Sequence, residues 1–254
     1  MKDSIKQKVK ERYGKIALVG NTESCCMPGS SCCDPGSPAQ SAKIVGYDEK
    51  ELEGIPQSSI LGLGCGSPTA FSDIQRGETV VDLGSGAGLD VFISARKVGD
   101  TGHVIGVDMT DEMLEKARKN AREHGYKNVE FKRGDIEKEI PIESNSVDVV
   151  ISNCVINLTT DKVAAFKEIH RILKKSGRMI ISDLITDKQI PLPEVDAGKW
   201  CSCIDGALTK DNYLNSINKA GFPDAEVLSE SLYMEGGEIG DRKVTSLVIR
   251  AIKR

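Results

Sequence analysis

Two sets of residues in this sequence have types and spacings that can do chemistry. The first is its thiols. Eight cysteines stand at positions 25, 26, 32, 33, 65, 154, 201 and 203 of 254. The opening stretch MKDSIKQKVKERYGKIA is basic but has no apolar core of the kind that directs export, so a cytoplasmic protein is expected. In a reducing compartment cysteines serve as core residues, as ligands of soft metals or metalloids, or as redox partners, and a framework of disulfides is not expected. The second set is VVDLGSGAGLD, Val80 to Asp90, together with Asp108 in VIGVD and Asp135 in RGDIE. Gly84, Gly86 and Gly88 let the backbone turn tightly and approach a ligand without side-chain clash. A dinucleotide fingerprint would put its third glycine at 89, which is Leu89, and the carboxylate of Asp82 would sit badly beside a pyrophosphate. An acid at that place suits a ligand bearing an ammonium or sulfonium.

The segments around these residues must position them. TVVDL, HVIGVD, NVEFKRGD, VDVVIS and RMIISDL are short, β-branched apolar runs that read as strands. LDVFISARKVG, TDEMLEKARKNAREHG and DKVAAFKEIHRILKKSG are amphipathic at helical spacing. Such alternation predicts an α/β protein with a Rossmann-like, mostly parallel sheet covered by helices on both faces. After residue 184 come a proline-containing stretch, a helix in KDNYLNSINKAGF and two final strands, AEVLSES and KVTSLVIRAI, the last of them antiparallel. Residues 3–20 predict a surface helix with Ile5, Val9, Tyr13, Ile16 and Ala17 on one face, and 21–43 a loop rich in Ser, Pro and Gly. The expected organisation is therefore a helix and Cys-rich loop over 1–43 and a main domain over 44–254, with a loop at 184–209 inserted after the fifth strand. No run approaches the ~18 apolar residues of a membrane span. A formal net charge of −4, with no basic stripe beyond the first helix, argues against nucleic acid. A monomer that binds neither is expected.

Placed on this frame, Asp82, Asp108 and Asp135 close three successive strands. Asp108 lies 24 residues after Gly84, where a carboxylate can accept hydrogen bonds from ribose hydroxyls. Asp135 could meet an adenine amino group, with Ile136 against the ring face. The combination resembles the class I S-adenosylmethionine-dependent methyltransferases. That resemblance implies S-adenosylmethionine as methyl donor, held by Asp82, Gly84, Ser85, Gly86, Gly88, Asp108, Met109, Gly134, Asp135, Ile136 and Asn153.

The acceptor is to be sought among the thiols. None of the three histidines, His103, His124 and His170, stands in a catalytic neighbourhood. The Asn/Asp-Pro-Pro-aromatic tetrapeptide of many amino-methylating enzymes is absent, and SNCVINL occupies its place after the fourth strand. Cys154 there opens toward the carboxyl edge of the sheet. Cys65, in LGLGCGSP before the first strand, and Cys203, in KWCSCIDGAL after the fifth, can fold over the same edge. Three thiolates do not suit zinc, which takes four ligands or three and a water. They suit a soft trigonal centre with a lone pair, such as trivalent arsenic. GCGSP, DLGSGAGLD, SNCVINL and C-I-x-G-A-L, in this order over residues 44–222, resemble the arsenite S-adenosylmethionine methyltransferases.

By that resemblance Cys65, Cys154 and Cys203 are the catalytic, arsenic-binding thiols. It implies stepwise methylation of arsenite and then methylarsenite in arsenic detoxification, with an external thiol reductant such as thioredoxin or glutathione. Longer members carry a C-terminal domain. This sequence ends soon after its last predicted strand, so that domain's role is expected to be missing or optional. Two other readings share parts of this pattern. A methyltransferase for an organic small molecule would have the same donor site, with the cysteines in the core. A thiol protein that sequesters arsenic would have let Asp82, Asp108 and Asp135 decay, and they are intact.

Cys201 reads as an auxiliary thiol. Cys25, Cys26, Cys32 and Cys33 form a CC-x5-CC element without the CxxC spacing of zinc sites, and read as a loop that catches arsenite or supplies a redox thiol, with structural zinc as the alternative. Arsenite has three bonds to exchange with thiolates, whereas methylarsenite has two. Replacing the four by Ser together is therefore expected to slow arsenite turnover and spare methylarsenite, measured as the ratio of the two rates under one reductant. Unfolding with release of zinc would establish the structural alternative.

Overall fold

The β-branched runs form the strands of a single sheet. The computed structural model describes residues 2–19, 38–191, 195 and 197–254, so Cys25, Cys26, Cys32 and Cys33 lie outside the described residues. Among these, the strands are β1 (Thr79–Leu83), β2 (His103–Asp108), β3 (Val129–Arg133), β4 (Val147–Asn153), β5 (Leu173–Thr186), β6 (Glu226–Glu235) and β7 (Lys243–Ile252). Their order is β3-β2-β1-β4-β5-β7-β6. β1 to β5 pair in parallel, and β7 runs antiparallel between β5 and β6. The central strands are buried on both faces: Val80, Val81, Leu83, Val149, Val150 and Ile151 have no exposed surface. This is why they read as continuous apolar runs and not as alternating ones.

The apolar positions of each helix fall on the face turned to the sheet. Helix α5 (Leu89–Val98) buries Val91, Phe92 and Ala95, and α6 (Asp111–Glu123) buries Leu114, Ala117 and Ala121. They pack in one core with Val80, Val104 and Val149. Helix α7 (Lys162–Ile172) buries Ala165, Phe166, Ile169 and Ile172, and α9 (Lys210–Lys219) buries Tyr213 and Ile217; both pack in a second core with Val81, Val150 and Ile181. The N-terminus of α7 is capped by Asp161, whose carboxylate accepts the Ala164 amide at 3.0 Å.

Three local features differ from the sequence reading. Helix α7 stops at Ile172 instead of running to Gly177, and Leu173 turns extended to enter β5. A β-carbon on Gly177 would lie 2.9–3.1 Å from the carbonyl oxygens of Lys174, Val147 and Asp148, so this strand entry requires glycine. The register shift between Val147 and Val149 absorbs the extra residues. Residues 38–44 form a short helix, α2 (Pro38–Ile44), where a loop is expected, ahead of the one-turn helices α3 (Glu49–Leu52) and α4 (Pro68–Phe71), and α8 (Ala197–Cys201) lies inside the stretch after β5. The N-terminal helix α1 (Lys2–Val19) does bury Ile5, Val9, Ile16 and Ala17, as its spacing predicts. It is more than surface cover, because it lies across the carboxyl edge: Ile5 and Val9 pack on Trp200 and Cys201, and Ile16 and Ala17 on Ala87 and Met113. No helix among the described residues is long and apolar enough to cross a membrane.

Phe166 is wholly buried and meets the Tyr213 ring edge-on, with centroids 5.7 Å apart. Phe166→Ala is expected to cost about 3–5 kcal/mol of unfolding free energy, read from urea denaturation followed by circular dichroism.

Candidate active site

Strand order reverses between β1 and β4, and a crevice opens at their carboxyl ends, as in other doubly wound sheets. Asp82, Gly84, Ser85, Gly86, Asp108, Met109, Gly134, Asp135, Ile136 and Asn153 all line this cavity, and so does Cys154. Gly88 does not: it is the left-handed residue before α5, at φ 98°, and a β-carbon there would strike Phe92 at 2.7 Å. Asp108 holds the glycine turn. Its two carboxylate oxygens accept the amides of Gly86 at 2.9 Å and Thr110 at 2.8 Å, while the Gly84 and Ser85 amides bond to the Val107 carbonyl at 2.7 and 3.1 Å.

The cavity is acidic at its inner end. Asp82 is 3% exposed, and burial pushes its carboxyl well above the usual range, with the charges of Asp90 and Asp108 adding to the effect. Burial lifts Asp90 to about 6, although the hydrogen bond from the Tyr47 hydroxyl favours its charged form. Carboxylates under such strain accept a cationic ligand readily, because its charge offsets both burial and mutual repulsion. Asp135 comes two residues after β3, and its carboxylate is engaged by Lys6 of α1 at 2.9 and 3.2 Å. Lys6 also pairs with Glu137, and Lys6, Val9 and Tyr13 bring α1 into the cavity wall. Sequence reasoning missed Lys6, Tyr47 and the part played by Asp90. Asp90 stood inside the glycine motif, but nothing local marked the other two.

The thiols gather beside this cavity. The sulfurs of Cys65 and Cys154 and a carboxylate oxygen of Asp183 all lie within 4.8 Å of one another. Cys203 is 2% exposed in the same cluster, with its Sγ donating to the Cys154 carbonyl at 2.8 Å. Burial pushes the Cys154 thiol well up, and the neighbouring thiols of Cys203 and Cys65 raise it further. Cys201 packs elsewhere, against Ile5 and Val9 of α1. Only five non-glycine residues among those described have left-handed backbone, and Cys154 (φ 60°) and Cys203 (φ 68°) are two of them. Such a conformation is uncommon outside glycine and persists where its surroundings enforce it. The Cys154 amide is held by the Ser182 carbonyl at 2.8 Å and the Cys203 amide by the Trp200 carbonyl at 2.9 Å.

SNCVINL is specific because nearly every residue in it is used. The Ser152 hydroxyl bonds to the Leu83 carbonyl at 3.0 Å, and Val155 fills the space above Gly84. The Asn157 amide donates to Asp183 at 2.9 Å. Asp183 also accepts from the Leu184 amide at 3.0 Å and the Tyr213 hydroxyl at 3.0 Å, and burial lifts it to about 6. Nearby Lys162 is buried over the Trp200 ring and lowered by burial to about 8. Among the described residues no histidine lines the cavity.

Comparison with known proteins agrees with this fold. Residues 74–221, more than half of the chain, match the family model of a methyltransferase domain. An arsenite methyltransferase of Halobacterium salinarum is 40% identical over 89% of this chain and 59% of its own length. Another, from Aquipseudomonas alcaligenes, is 32% identical over 97% of this chain and 72% of its own. The crystal structure of an arsenic(III) S-adenosylmethionine methyltransferase from Chlamydomonas reinhardtii is similar at TM-score 0.68 and 31% identity, covering 84% of this chain and 73% of that one. The chain spans 59% and 50% of the lengths of the Halobacterium salinarum and mouse relatives. With this sheet, this glycine turn and this degree of identity, the chain belongs to the arsenite methyltransferase family.

Proposed function

We propose that the protein methylates trivalent arsenic, arsenite first and then methylarsenite, with S-adenosylmethionine as donor. The observation that carries this reading is the meeting of the Cys65 and Cys154 sulfurs within 4.8 Å, with Cys203 bonded to the Cys154 backbone and Cys154 in the wall of the donor cavity. The cavity fits the donor on its chemistry. Asp82 and Asp90 offer negative charge to a sulfonium and an ammonium, Asp108 offers carboxylate oxygens to ribose, and the glycine turn lets backbone come close. When bound, the donor supplies an electrophilic methyl group.

The thiols prepare the acceptor. Arsenite enters as the neutral trihydroxide, and each thiol that replaces a hydroxide releases one water, so no net proton leaves the site. Rotation of the Cys203 side chain off the Cys154 carbonyl completes a pyramid of three sulfurs and leaves the arsenic lone pair on the open side. Transfer of the methyl group to that lone pair needs no general base, in keeping with a cavity lined by no histidine. The protein's part is positioning, which needs reacting atoms about 3–3.5 Å apart. Methylation formally oxidises arsenic to the pentavalent state. Two thiolates leaving as a disulfide return two electrons to it, and an external dithiol such as thioredoxin, or glutathione, then reduces the disulfide.

The test is a methylation assay with arsenite, donor and thiol, products separated by oxidation state, beside the same assay with organic acceptors. Cys154→Ser is expected to lose turnover of arsenite and methylarsenite alike while calorimetric donor binding stays normal, because a hydroxyl is too hard a ligand to replace a thiolate.

Donor affinity is also expected to depend on pH. A cationic ligand needs the carboxylates of Asp82 and Asp90 ionised; Asp90 is raised to about 6 and Asp82 well above its usual range, so affinity falls as pH drops through the range in which they take up protons. The loss approaches about tenfold per pH unit on the acid side for a single proton. Asp90→Asn is expected to bind donor weakly with a flatter profile, measured by calorimetry between pH 5 and pH 8.

A further inference from the structure

Asn153 is the last residue of β4 and precedes Cys154, in the wall of the donor cavity. Its side chain nevertheless faces the Cys65 turn. Oδ1 accepts the Cys65 amide at 3.1 Å, and Nδ2 donates to the Gly66 carbonyl at 2.6 Å and to the Tyr47 hydroxyl at 2.9 Å. Only this orientation of the amide gives an acceptor to an N–H and a donor to a carbonyl. Both amide hydrogens are then committed to the protein, and none remains for a ligand. On the far side of the turn, the Ser246 hydroxyl of β7 donates to the Cys65 carbonyl at 2.7 Å.

The flanking glycines record how tightly the turn is seated. A β-carbon on Gly64 would lie 2.6 Å from the Asn153 amide nitrogen, and one on Gly66 would lie 2.1 Å from the Ser182 hydroxyl. The GCG triplet therefore packs closely on Asn153 at the end of β4 and on Ser182 beside it in β5, held at the peptide groups before and after Cys65. Cys65 itself is 4% exposed. It comes from ahead of the first strand, so nothing in the sheet connection itself fixes its distance to Cys154.

We propose that Asn153 is a positioning residue of the acceptor site: with Ser246 it clamps the Cys65 turn so that the Cys65 sulfur stands beside that of Cys154. The proposal rests on the acceptor reading above for its kinetic consequence, though not for the clamp. Because Asn153 also bonds to Tyr47, and Tyr47 to Asp90, the same amide joins the thiol turn to the acidic wall of the donor cavity. Losing the clamp withdraws the Cys65 sulfur and leaves Cys154, in the wall of the donor cavity, and Cys203 as a pair. Arsenite, with three bonds to exchange, is affected, and methylarsenite, with two, is spared.

The experiment uses the full chain, reduced and free of arsenic, and follows alkylation of Cys65 by iodoacetamide peptide by peptide in a mass spectrometer. Asn153→Ala is expected to speed alkylation of Cys65 at least about tenfold by opening the turn locally. It is also expected to raise the KM for arsenite at least about tenfold with little change in the KM for methylarsenite. Ser246→Ala removes the second bond away from the donor cavity. It is expected to move the same two quantities in the same direction with donor affinity unchanged, which keeps the test open if Asn153→Ala folds poorly. Asn153→Asp keeps the acceptor for the Cys65 amide but not the donor to Gly66, and is expected to fall between parent and Ala. Donor affinity lost in Asn153→Ala with Cys65 alkylation unchanged in both variants would overturn the clamp. Faster alkylation in both, in a protein whose Cys65→Ser variant still handles arsenite normally, would uphold the clamp and overturn Cys65 as an arsenic ligand.

Discussion

The hydrogen bond from the Cys154 amide to the Ser182 carbonyl, 2.8 Å long, decides where the chain goes when β4 ends. It continues the ladder to β5 by one bond while the Cys154 backbone turns left-handed, at φ 60°. The next residues follow from that turn. Val155 is carried over Gly84, where it would clash with any larger residue, and Asn157 is brought back to Asp183 on the neighbouring strand. The Cys154 carbonyl is left facing the Cys203 thiol. A straight exit from β4 would send the thiol away from Cys65 and would uncover the glycine turn as well. One backbone bond thus sets both halves of the site, because the wall between them is a single stretch of chain.

Around that wall the protein keeps charges where solvent does not help them. Asp82, Asp90 and Asp183 are all buried with carboxyls raised by that burial, and Lys162 is buried with its amine lowered. Isolated charges cost several kcal/mol each in such surroundings. Hydrogen bonds reduce the cost without removing it: Asp183 has three, from Asn157, Leu184 and Tyr213, and Asp90 has the Tyr47 hydroxyl. Asp205, two residues after Cys203, is paired instead with buried Arg242 at 2.9 Å. Asp82 and Asp90, unlike Asp135 with its Lys6, have no ion-pair partner among the described residues, which is the arrangement a cationic ligand completes.

Much of this was legible in the sequence because it is local. The strands are short apolar runs, the helices have apolar residues at i, i+3 and i+4, and the acids and cysteines that follow strands share one edge by the geometry of parallel sheets. What was not legible depends on distant partners. Lys6 reaches Asp135 across 129 positions, and no pattern near either residue signals it. Tyr47 and Asp183 are ordinary residues in ordinary segments until Asn153 and the SNCVINL turn meet them. The end of α7 was misplaced because LKKSG is compatible with helix, and it is the backbone of β4 lying against Gly177 that prevents one. Pattern names the elements; long-range packing decides where they stop.

Helix α1 has a consequence in time. It closes one side of the cavity through Lys6, Val9 and Tyr13, and it is pinned at two places, by Ile5 and Val9 on Trp200 and by Ile16 and Ala17 on Met113. Each large aliphatic side chain so buried is worth about 1.5–3 kcal/mol against exposure. Lifting the whole helix is therefore a rare event beside the fast motions of exposed side chains. A ligand too large for the gaps left around α1 enters and leaves at the pace of that helix. For such a ligand, how long it stays depends on how often residues 2–19 come away as well as on how tightly the floor of the cavity holds it.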